Sequence, residues 1–285
     1  MAPETTLVIG GTGKTGRRVV ERLATRNLPV RSGSRSSAPP FDWENRSTWL
    51  PALRDIGAVY ITYHPDLAFP GAAETVGAFA QLAVANGVRR LVLLSGRNES
   101  GALRGEQAVR ESGAEWTLVR SSFMNQNFNE SFWLEPLLHG ELAVPAGDVA
   151  EPFIDADDIA DVVVAALTED DHLGRLYEVT GPRLLTFSDA VAEISAATGR
   201  EIHYRPITSE EFRAAMLAEG VPADFAHGLT ELFSEVMDGR SAYLSDGVQR
   251  ALGREPRDFR DYARQTVATG VWSAAGGAAV ADAAE

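Results

Sequence analysis

A run of glycines between an apolar stretch and an amphipathic one constrains this chain more than any other feature. Residues 6–20 read TLVIGGTGKTGRRVV. "TLVI" has the β-branched composition of a strand, and "KTGRRVVERLAT" carries Val19, Val20 and Leu23 on one helical side. Glycine tolerates positive φ and lets backbone N–H groups approach an anion closely, and a helix N-terminus adds a favourable dipole. Two kinds of phosphate-binding loop use glycines in this way, and spacing separates them. The triphosphate loop reads G-x-x-x-x-G-K-[ST]. Gly13-Lys14-Thr15 supplies its end, but Val8 stands where the first glycine belongs. The dinucleotide pattern fits twice, as Gly10-x-x-Gly13-x-x-Gly16 and as Gly11-x-Gly13-x-x-Gly16. A pyrophosphate is therefore expected over residues 10–16.

The next apolar stretch, "LPVRSGSRS", has the place of a second strand. Folds that select NAD carry an acid at its end for the ribose 2′-hydroxyl. Here Arg31 and Arg35 stand instead, with Ser32, Ser34 and Ser36 around them. A guanidinium suits bidentate phosphate recognition, so the expected cofactor is NADP(H).

Strand and helix patterns then alternate. "FDWENRSTWLPAL" reads as a short strand or turn running into a helix, and "GAVYIT" as a strand followed by a loop. "AAETVGAFAQLAVANG" is a helix with Val76, Phe79, Ala83 and Val84 at helical spacing, stopped by Asn86-Gly87. "VRRLVLLS", "LRGEQAVRESG" and "EWTLVR" read as strand, helix and strand. This alternation predicts an α/β fold, a Rossmann-type doubly wound parallel sheet, with ligands beyond the carboxyl ends of the strands. On that reading Thr62, Tyr63 and His64 follow the fourth strand, Ser95 and Arg97 the fifth, and Ser121 and Ser122 the sixth.

From about residue 122 the pattern loosens into aromatic-rich and helical segments. Thr186-x-x-Asp189 and Thr208-x-x-Glu211 are capping boxes that open two of these helices. Phe225, Leu229, Leu232, Phe233 and Val236 form an apolar stripe on another. The expected organisation is a dinucleotide-binding domain over residues 1–150, its sheet drawing strands from 151–180. A smaller, mostly helical C-terminal substrate lobe follows over 151–270, with helices returning to the sheet. The Ala/Gly-rich end, 271–285, is expected to be a disordered tail.

Composition excludes several functions. A net charge of −14 over 285 residues leaves no broad basic face for nucleic acid or an anionic membrane. The chain has no cysteine, hence no disulfide, thiolate nucleophile or Cys-ligated zinc. The start "MAPETTLVIG" lacks the basic and apolar regions of a signal peptide, and no apolar run reaches the ~18 residues of a membrane span, so a soluble cytoplasmic protein is expected. Lys14 is the only lysine, which removes any mechanism that needs a lysine elsewhere. His64 is either a proton donor or a plain loop residue. His139, His172, His203 and His227 are scattered without metal-ligand spacing and are expected at the surface or at helix ends. Asp155, Asp157, Asp158 and Asp161 coincide with a helix start, where acids offset the dipole, and no metal is expected there. Asn125 and Asn127 either orient a substrate carbonyl or are ordinary polar residues of a helix start. Phe123 and Phe128 are candidates for the wall of a planar site.

The segments "VIGGTGKTGRRV", "VRSGSR", "VRRLVLLSG", "GEQAVRESGAEWTLVRSSFMNQNF" and "PFIDADDIADVVVAAL" together resemble the NmrA-like family of atypical short-chain dehydrogenases/reductases over most of residues 5–262. The resemblance implies NAD(P) binding and a small C-terminal substrate lobe. The family includes quinone and azo reductases, isoflavone-reductase-like enzymes, and redox-sensing regulators that bind the cofactor without turning it over. By resemblance, Gly10, Thr12, Gly13, Lys14, Thr15 and Gly16 line the pyrophosphate, Arg35 meets the 2′-phosphate and Asp42 lies near the adenine. Ser95 and residues 123–127 flank the nicotinamide. Gly11, Arg31, Ser34 and Thr62 complete the expected cofactor set, and Ser95, Tyr63, His64 and Asn125 are the catalytic candidates. The chain departs from short-chain reductases in lacking any Tyr-x-x-x-Lys, whose lysine lowers the tyrosine pKa. Arg104 is the nearest cation where some relatives carry an active-site lysine, and arginine does not deprotonate. Hydride delivery to a quinone or enone builds a delocalised anion that solvent can protonate, whereas an ordinary ketone needs a positioned acid. The reading is thus an NADPH-dependent oxidoreductase acting on a planar, conjugated small molecule, as a monomer or homodimer. The alternative is a non-catalytic NADP(H) sensor with a protein partner. An epimerase or dehydratase would need the missing acid/base tyrosine.

Overall fold

The computed structural model describes residues 4–273. Thr5–Ile9 forms β1, and Lys14–Thr25 forms α1, with Val19 and Leu23 fully buried. Val30–Gly33 (β2) follows, then Trp49–Leu53 (α2), Ile56–Ile61 (β3), Ala72–Ala85 (α3), Arg90–Gly96 (β4), Ser100–Arg110 (α4) and Glu115–Ser121 (β5). Leu134–Leu138 (α5), Glu141–Val144 (β6) and Ala150–Glu151 (β7) precede the long helix Ala156–Thr168 (α6) and the strand Arg175–Val179 (β8). The remainder is Leu185–Thr186 (β9), Phe187–Thr198 (α7), His203–Pro206 (β10), Ser209–Ala218 (α8), Ala223–Val236 (α9), Gly247–Leu252 (α10) and Phe259–Ala268 (α11).

Six strands make one parallel sheet in the order β2-β1-β3-β4-β5-β8. Every residue of β3 is buried, as a parallel sheet with helices on both faces requires. From β1 the chain steps outward to β2 through α1, and in the other direction from β3 to β4 and β5 through α3 and α4. Right-handed crossovers running in opposite directions put α1 on one face and α3 and α4 on the other. α6 packs beside α1 and lies across β3, β4 and β5. The fold is the Rossmann-type doubly wound sheet.

Of the two readings of the segment after β2, a short strand or a turn, the turn holds, and the strand count shifts by one. "FDWENRSTWLPAL" forms a 3-10 turn, Arg46–Thr48, that leads into α2, so "GAVYIT" is the third strand rather than the fourth. Its aromatic residues explain why. Phe41, Trp43 and Trp49 pack edge-on against Phe79 with ring centroids 5.3–5.6 Å apart, and Trp43 meets Phe41 and Trp49 at 4.9 and 5.8 Å. The Trp49 indole also donates to the Asp42 carbonyl at 2.8 Å. The segment folds over its own aromatic cluster instead of extending along a sheet edge.

The chain divides into two compact units. One holds the chain up to Ser121 with Ala156–Val179 and Asp246–Glu255; the other holds Ser122–Asp155, Thr180–Ser245 and the chain from Pro256 onward. The first division falls at the end of β5, well before residue 150. Beyond it, Phe128, Trp133 and Phe153 join Phe187, Phe233 and Phe259 in a separate apolar core. α6 belongs to the first unit because nearly its whole circumference is apolar and buried. Gly247 lets α10 close on β8: a Cβ there would lie 2.1 Å from the Glu178 carbonyl oxygen. In the second unit β6 pairs with β10 and β7 with β9, and both capping boxes form as the sequence pattern predicts. Trp272, inside the expected tail, is buried and donates its indole N–H to the Phe128 carbonyl at 3.1 Å. The rest of that tail lies outside the described residues.

Two further expectations are sharpened. His172 closes the 3-10 turn Asp170–His172, a helix end as expected, but is buried there, with Nδ1 2.8 Å from the Tyr177 hydroxyl. The acids of α6 do more than offset a helix dipole. Asp157 accepts from Arg18 and Arg22 at 3.2 and 2.6 Å, and Asp161 and Asp158 accept from Arg22 and Arg254. These pairs join α1, α6 and the end of α10. Among the described residues no group of His, Cys, Asp or Glu could hold a metal ion, and no helix is long and apolar enough to cross a membrane.

Burial alone would raise the Asp157 carboxyl, but its hydrogen bonds and charge pairing with Arg22 and Arg18 outweigh that and hold it below the ordinary carboxylate value. Stability from such a group is present above its unfolded pKa of about 4 and is lost as pH falls through the lower folded value. Asp157→Asn is expected to cost about 1–2 kcal/mol at pH 7 and progressively less towards pH 3, as read by urea melts across that range.

Candidate functional site

β1 is the switch point of the sheet: the chain leaves it towards β2 on one side and finds β3 on the other. Ligands of open α/β sheets bind at the carboxyl ends beside such a strand. Residues 10–13 turn there. Gly10 has φ +67°, and a Cβ on it would sit 2.4 Å from Thr62 Oγ1. A Cβ on Gly16 would sit 2.1 Å from the Gly10 carbonyl oxygen, so α1 crosses the loop at a distance only glycine permits. The Gly10 and Gly11 amides both donate to the Gly33 carbonyl, at 2.9 and 3.3 Å, and the Gly13 amide donates to the Gly10 carbonyl at 2.8 Å. Thr62 Oγ1 donates to the Ile9 carbonyl at 3.0 Å, which ties the end of β3 to the loop.

These bonds shape the loop and leave the mouth of α1 open. Gly13 is the N-cap, no side chain caps the helix, and no acid occupies its first turn. A twelve-residue helix begun in this way presents its positive end to an anion. Thr12 and Gly13 are exposed at that mouth, and Lys14 opens the helix. Thr15 is turned away from it. Its hydroxyl accepts from the buried Tyr60 hydroxyl at 3.0 Å, so Thr15 can offer a phosphate only its backbone. Burial pushes the Tyr60 phenol far above its ordinary pKa, against a smaller opposing effect from Thr15, and keeps it a neutral donor.

The two arginines of the second strand have different surroundings. Arg31 Nη1 donates to the carbonyls of Ala52 and Arg54 at 2.8 and 2.7 Å, closing the end of α2. It lies two residues before the end of β2, too early on the strand to share the place of Arg35, and differs in this from the expected phosphate ligand. Arg35, beyond the strand, is exposed and makes no ion pair or side-chain hydrogen bond with a described residue. Ser34 sits in a tight turn where its carbonyl accepts from Ser37 Oγ at 2.8 Å and its Oγ lies 3.2 Å from that of Ser36. Asp42 directs a carboxylate oxygen to the Glu44 amide at 3.0 Å.

Tyr63 and His64 follow β3. The Tyr63 ring lies 5.2 Å from Trp43 at a tilt of 47°, and its hydroxyl makes no hydrogen bond with a described residue, while His64 is exposed. Ser95 is buried within β4 and donates its hydroxyl to Glu106 Oε1 at 2.7 Å. Glu106, on α4, also takes both branches of Arg120, each at 2.6 Å. The hydroxyl expected to be free for chemistry is therefore engaged in a buried polar network. Ser95, Arg120 and Glu178 stand in register across β4, β5 and β8, and Arg97 pairs with Glu178 at 3.0 Å. Glu106, Arg120 and Glu178 escaped sequence reading, although a charged residue near the end of an otherwise apolar strand was the available signal. So did Asp66, in the loop after β3: it accepts from the Ala68 amide at 2.8 Å, and burial pushes its carboxyl up in spite of that bond.

In the second unit Asn125 is completely buried, and neither its Nδ2 nor its Oδ1 has a hydrogen-bond partner among the described residues. Phe123 is half-buried and stacks on Trp133 at 5.4 Å and 4°. Phe128 is wholly within the aromatic core and forms no wall of an open site.

Residues 104–263, more than half of the chain, match the model of the NmrA-like family. The chain belongs to the NmrA-like family. It is 33% identical to the "uncharacterized oxidoreductase YesF" of Bacillus subtilis (strain 168), over 94% of this chain and 97% of that protein. It is 32% identical to the "NAD(P)H azoreductase" of Xenophilus azovorans, over 90% and 96% of the two. Among solved structures, the Escherichia coli NADPH-dependent quinone oxidoreductase QOR2 complexed with NADPH superposes with a TM-score of 0.76 at 20% identity, covering 92% of this chain and 99% of that one.

As an NmrA-like protein, the chain has the glycine loop, Thr62, Tyr63 and His64 gathered at the carboxyl ends of β1 and β3, with Ser95 behind them in β4. The residues present fit a dinucleotide: the loop is shaped by its own backbone, the helix mouth is uncapped, and a side chain at Gly10 or Gly16 would fill the cradle. Gly16→Ala is expected to lose about 2–3 kcal/mol of stability and at least about tenfold in dinucleotide affinity, measured by chemical denaturation and calorimetry, because its Cβ meets backbone that cannot swing aside.

Proposed function

We propose that this chain is an NADPH-dependent oxidoreductase whose substrate is a planar, conjugated, electron-poor small molecule, such as a quinone or an enone. The observation that carries this reading is the glycine cradle at the uncapped mouth of α1, with Arg35 unpartnered just past β2. The cradle suits a pyrophosphate, and Arg35 suits the 2′-phosphate that separates NADP(H) from NAD(H). Relatives support it: one is an NAD(P)H azoreductase, and the quinone oxidoreductase structure contains NADPH. When bound, NADPH supplies the hydride. Residues 10–16 and Lys14 hold the phosphates, Thr62 and Ser34 border them, and Asp42 lies towards the adenine. The second unit is the substrate lobe, with Asn125 and the open face of Phe123 as its contacts. An enzyme without cysteine and dependent on NADPH suits the cytoplasm.

Proton supply fits the same substrate class. Lys14 is the only lysine, so no tyrosine–lysine pair can form. Tyr63 and His64 border the reaction centre in this reading. A quinone tolerates late protonation, whereas an unactivated ketone does not. Quinones are expected to be turned over at least about tenfold faster than unactivated ketones, as steady-state rates.

Arg35→Ala tests the cofactor assignment. Loss of charge-assisted bonds to a phosphate is expected to weaken NADPH about 10- to 100-fold and to leave NADH within about twofold, by fluorescence titration. Equal affinity of the wild-type protein for both nucleotides would remove the assignment. Tight NADPH binding with no consumption across a panel of quinones, enones and ketones would instead favour an NADP(H)-sensing regulator.

A further inference from the structure

We infer that the side chain of Asn125 binds the amide edge of a ligand, a carbonyl oxygen beside an N–H. Asn125 opens the 3-10 turn Asn125–Phe128, and its backbone is held in place. The Asn125 amide donates to the Ile154 carbonyl at 2.8 Å, the Ile154 amide donates to the Phe123 carbonyl at 2.9 Å, and Met124 bridges Ile154. The side chain is 0% exposed, yet neither of its polar atoms has a partner. The next residue supplies the contrast. Gln126 is equally enclosed, and its Nε2 donates to Asp155 Oδ1 at 2.9 Å. A polar chain that serves this turn structurally is thus satisfied, and Asn125 is not.

A buried amide left without partners is costly, and it is retained where something else completes it. Asn125 offers a donor and an acceptor side by side, so its complement offers an acceptor and a donor side by side. Exchanging Nδ2 and Oδ1 leaves this requirement unchanged, since both are unpaired. A lone ketone or ether satisfies half of it; a lactam or a primary carboxamide satisfies all of it. Phe123, two residues earlier, is stacked on Trp133 and only half-buried, which favours a flat ring carrying that edge. A ligand that reaches Asn125 displaces the side chains closed over it, and the hydrogen bonds gained offset that movement. A planar lactam carries such an edge, and the inference commits to it: a flat, conjugated lactam as substrate, which rests on the substrate-lobe reading above.

The experiment compares a ligand pair that differs in the N–H alone, isatin against N-methylisatin, by calorimetry on the full chain and on Asn125→Leu. In the wild type the N–H member is expected to be favoured by about tenfold or more, and the preference to fall within about twofold in the variant. The melting temperature of Asn125→Leu without ligand is expected to stay level or rise, because an unsatisfied amide has been removed. No preference for isatin, a preference that survives in the variant, or a melting temperature several degrees lower in both Asn125→Leu and Asn125→Met would overturn the inference, the last by showing that the amide is structural. Binding of 2′,5′-ADP, which has no nicotinamide, reports the glycine cradle and Arg35 separately, so failure there is told apart from failure at Asn125.

Discussion

The distance between α1 and the end of β1 governs this molecule. With the Cα of Gly16 seated over the Gly10 carbonyl, the helix begins at the carboxyl edge of the sheet with its axis directed at whatever lies beyond β1. Two glycine amides are then consumed by the Gly33 carbonyl, which fixes β2 beside the loop, and Thr62 locks β3 from the other side. An uncapped helix mouth is the result of that geometry rather than an independent feature. Any side chain between helix and loop would separate these parts and lose the cradle.

Farther along the sheet edge, charge takes over from glycine. Ser95, Glu106, Arg120, Glu178 and Arg97 tie β4, β5, β8 and α4 together beneath the carboxyl ends. Buried pairs of this kind add little net stability compared with apolar packing, but removing one partner strands the other. They therefore keep the strand ends in one arrangement. The same network explains why the hydroxyl of Ser95 is not at the disposal of a substrate.

Much of the first unit could be read from the chain because its constraints are local. Glycine spacing, the apolar face of α1 and the alternation of strands and helices act within a few residues, and so do the boxes of Thr186 with Asp189 and Thr208 with Glu211. What escaped reading depends on partners distant in sequence. Trp43 and Trp49 prefer Phe79 to a strand, and Arg31 finds the carbonyls of α2. His172 folds onto Tyr177, and Asp157 meets arginines about 135 positions earlier. Asn125 shows the converse: its residue type was suggestive, but only enclosure without a partner gives it meaning.

The chain passes from one unit to the other after Ser121, Asp155, Val179, Ser245 and Glu255. During synthesis, the first five strands emerge long before α6 and β8, so the outer edge of β5 and the sheet face awaiting α6 stay open meanwhile. Those surfaces are strongly apolar, and an open parallel edge invites pairing with a neighbouring nascent chain. The nascent protein thus has its period of greatest aggregation risk between the translation of β5 and that of β8, and the pace of the ribosome over those codons bears directly on yield.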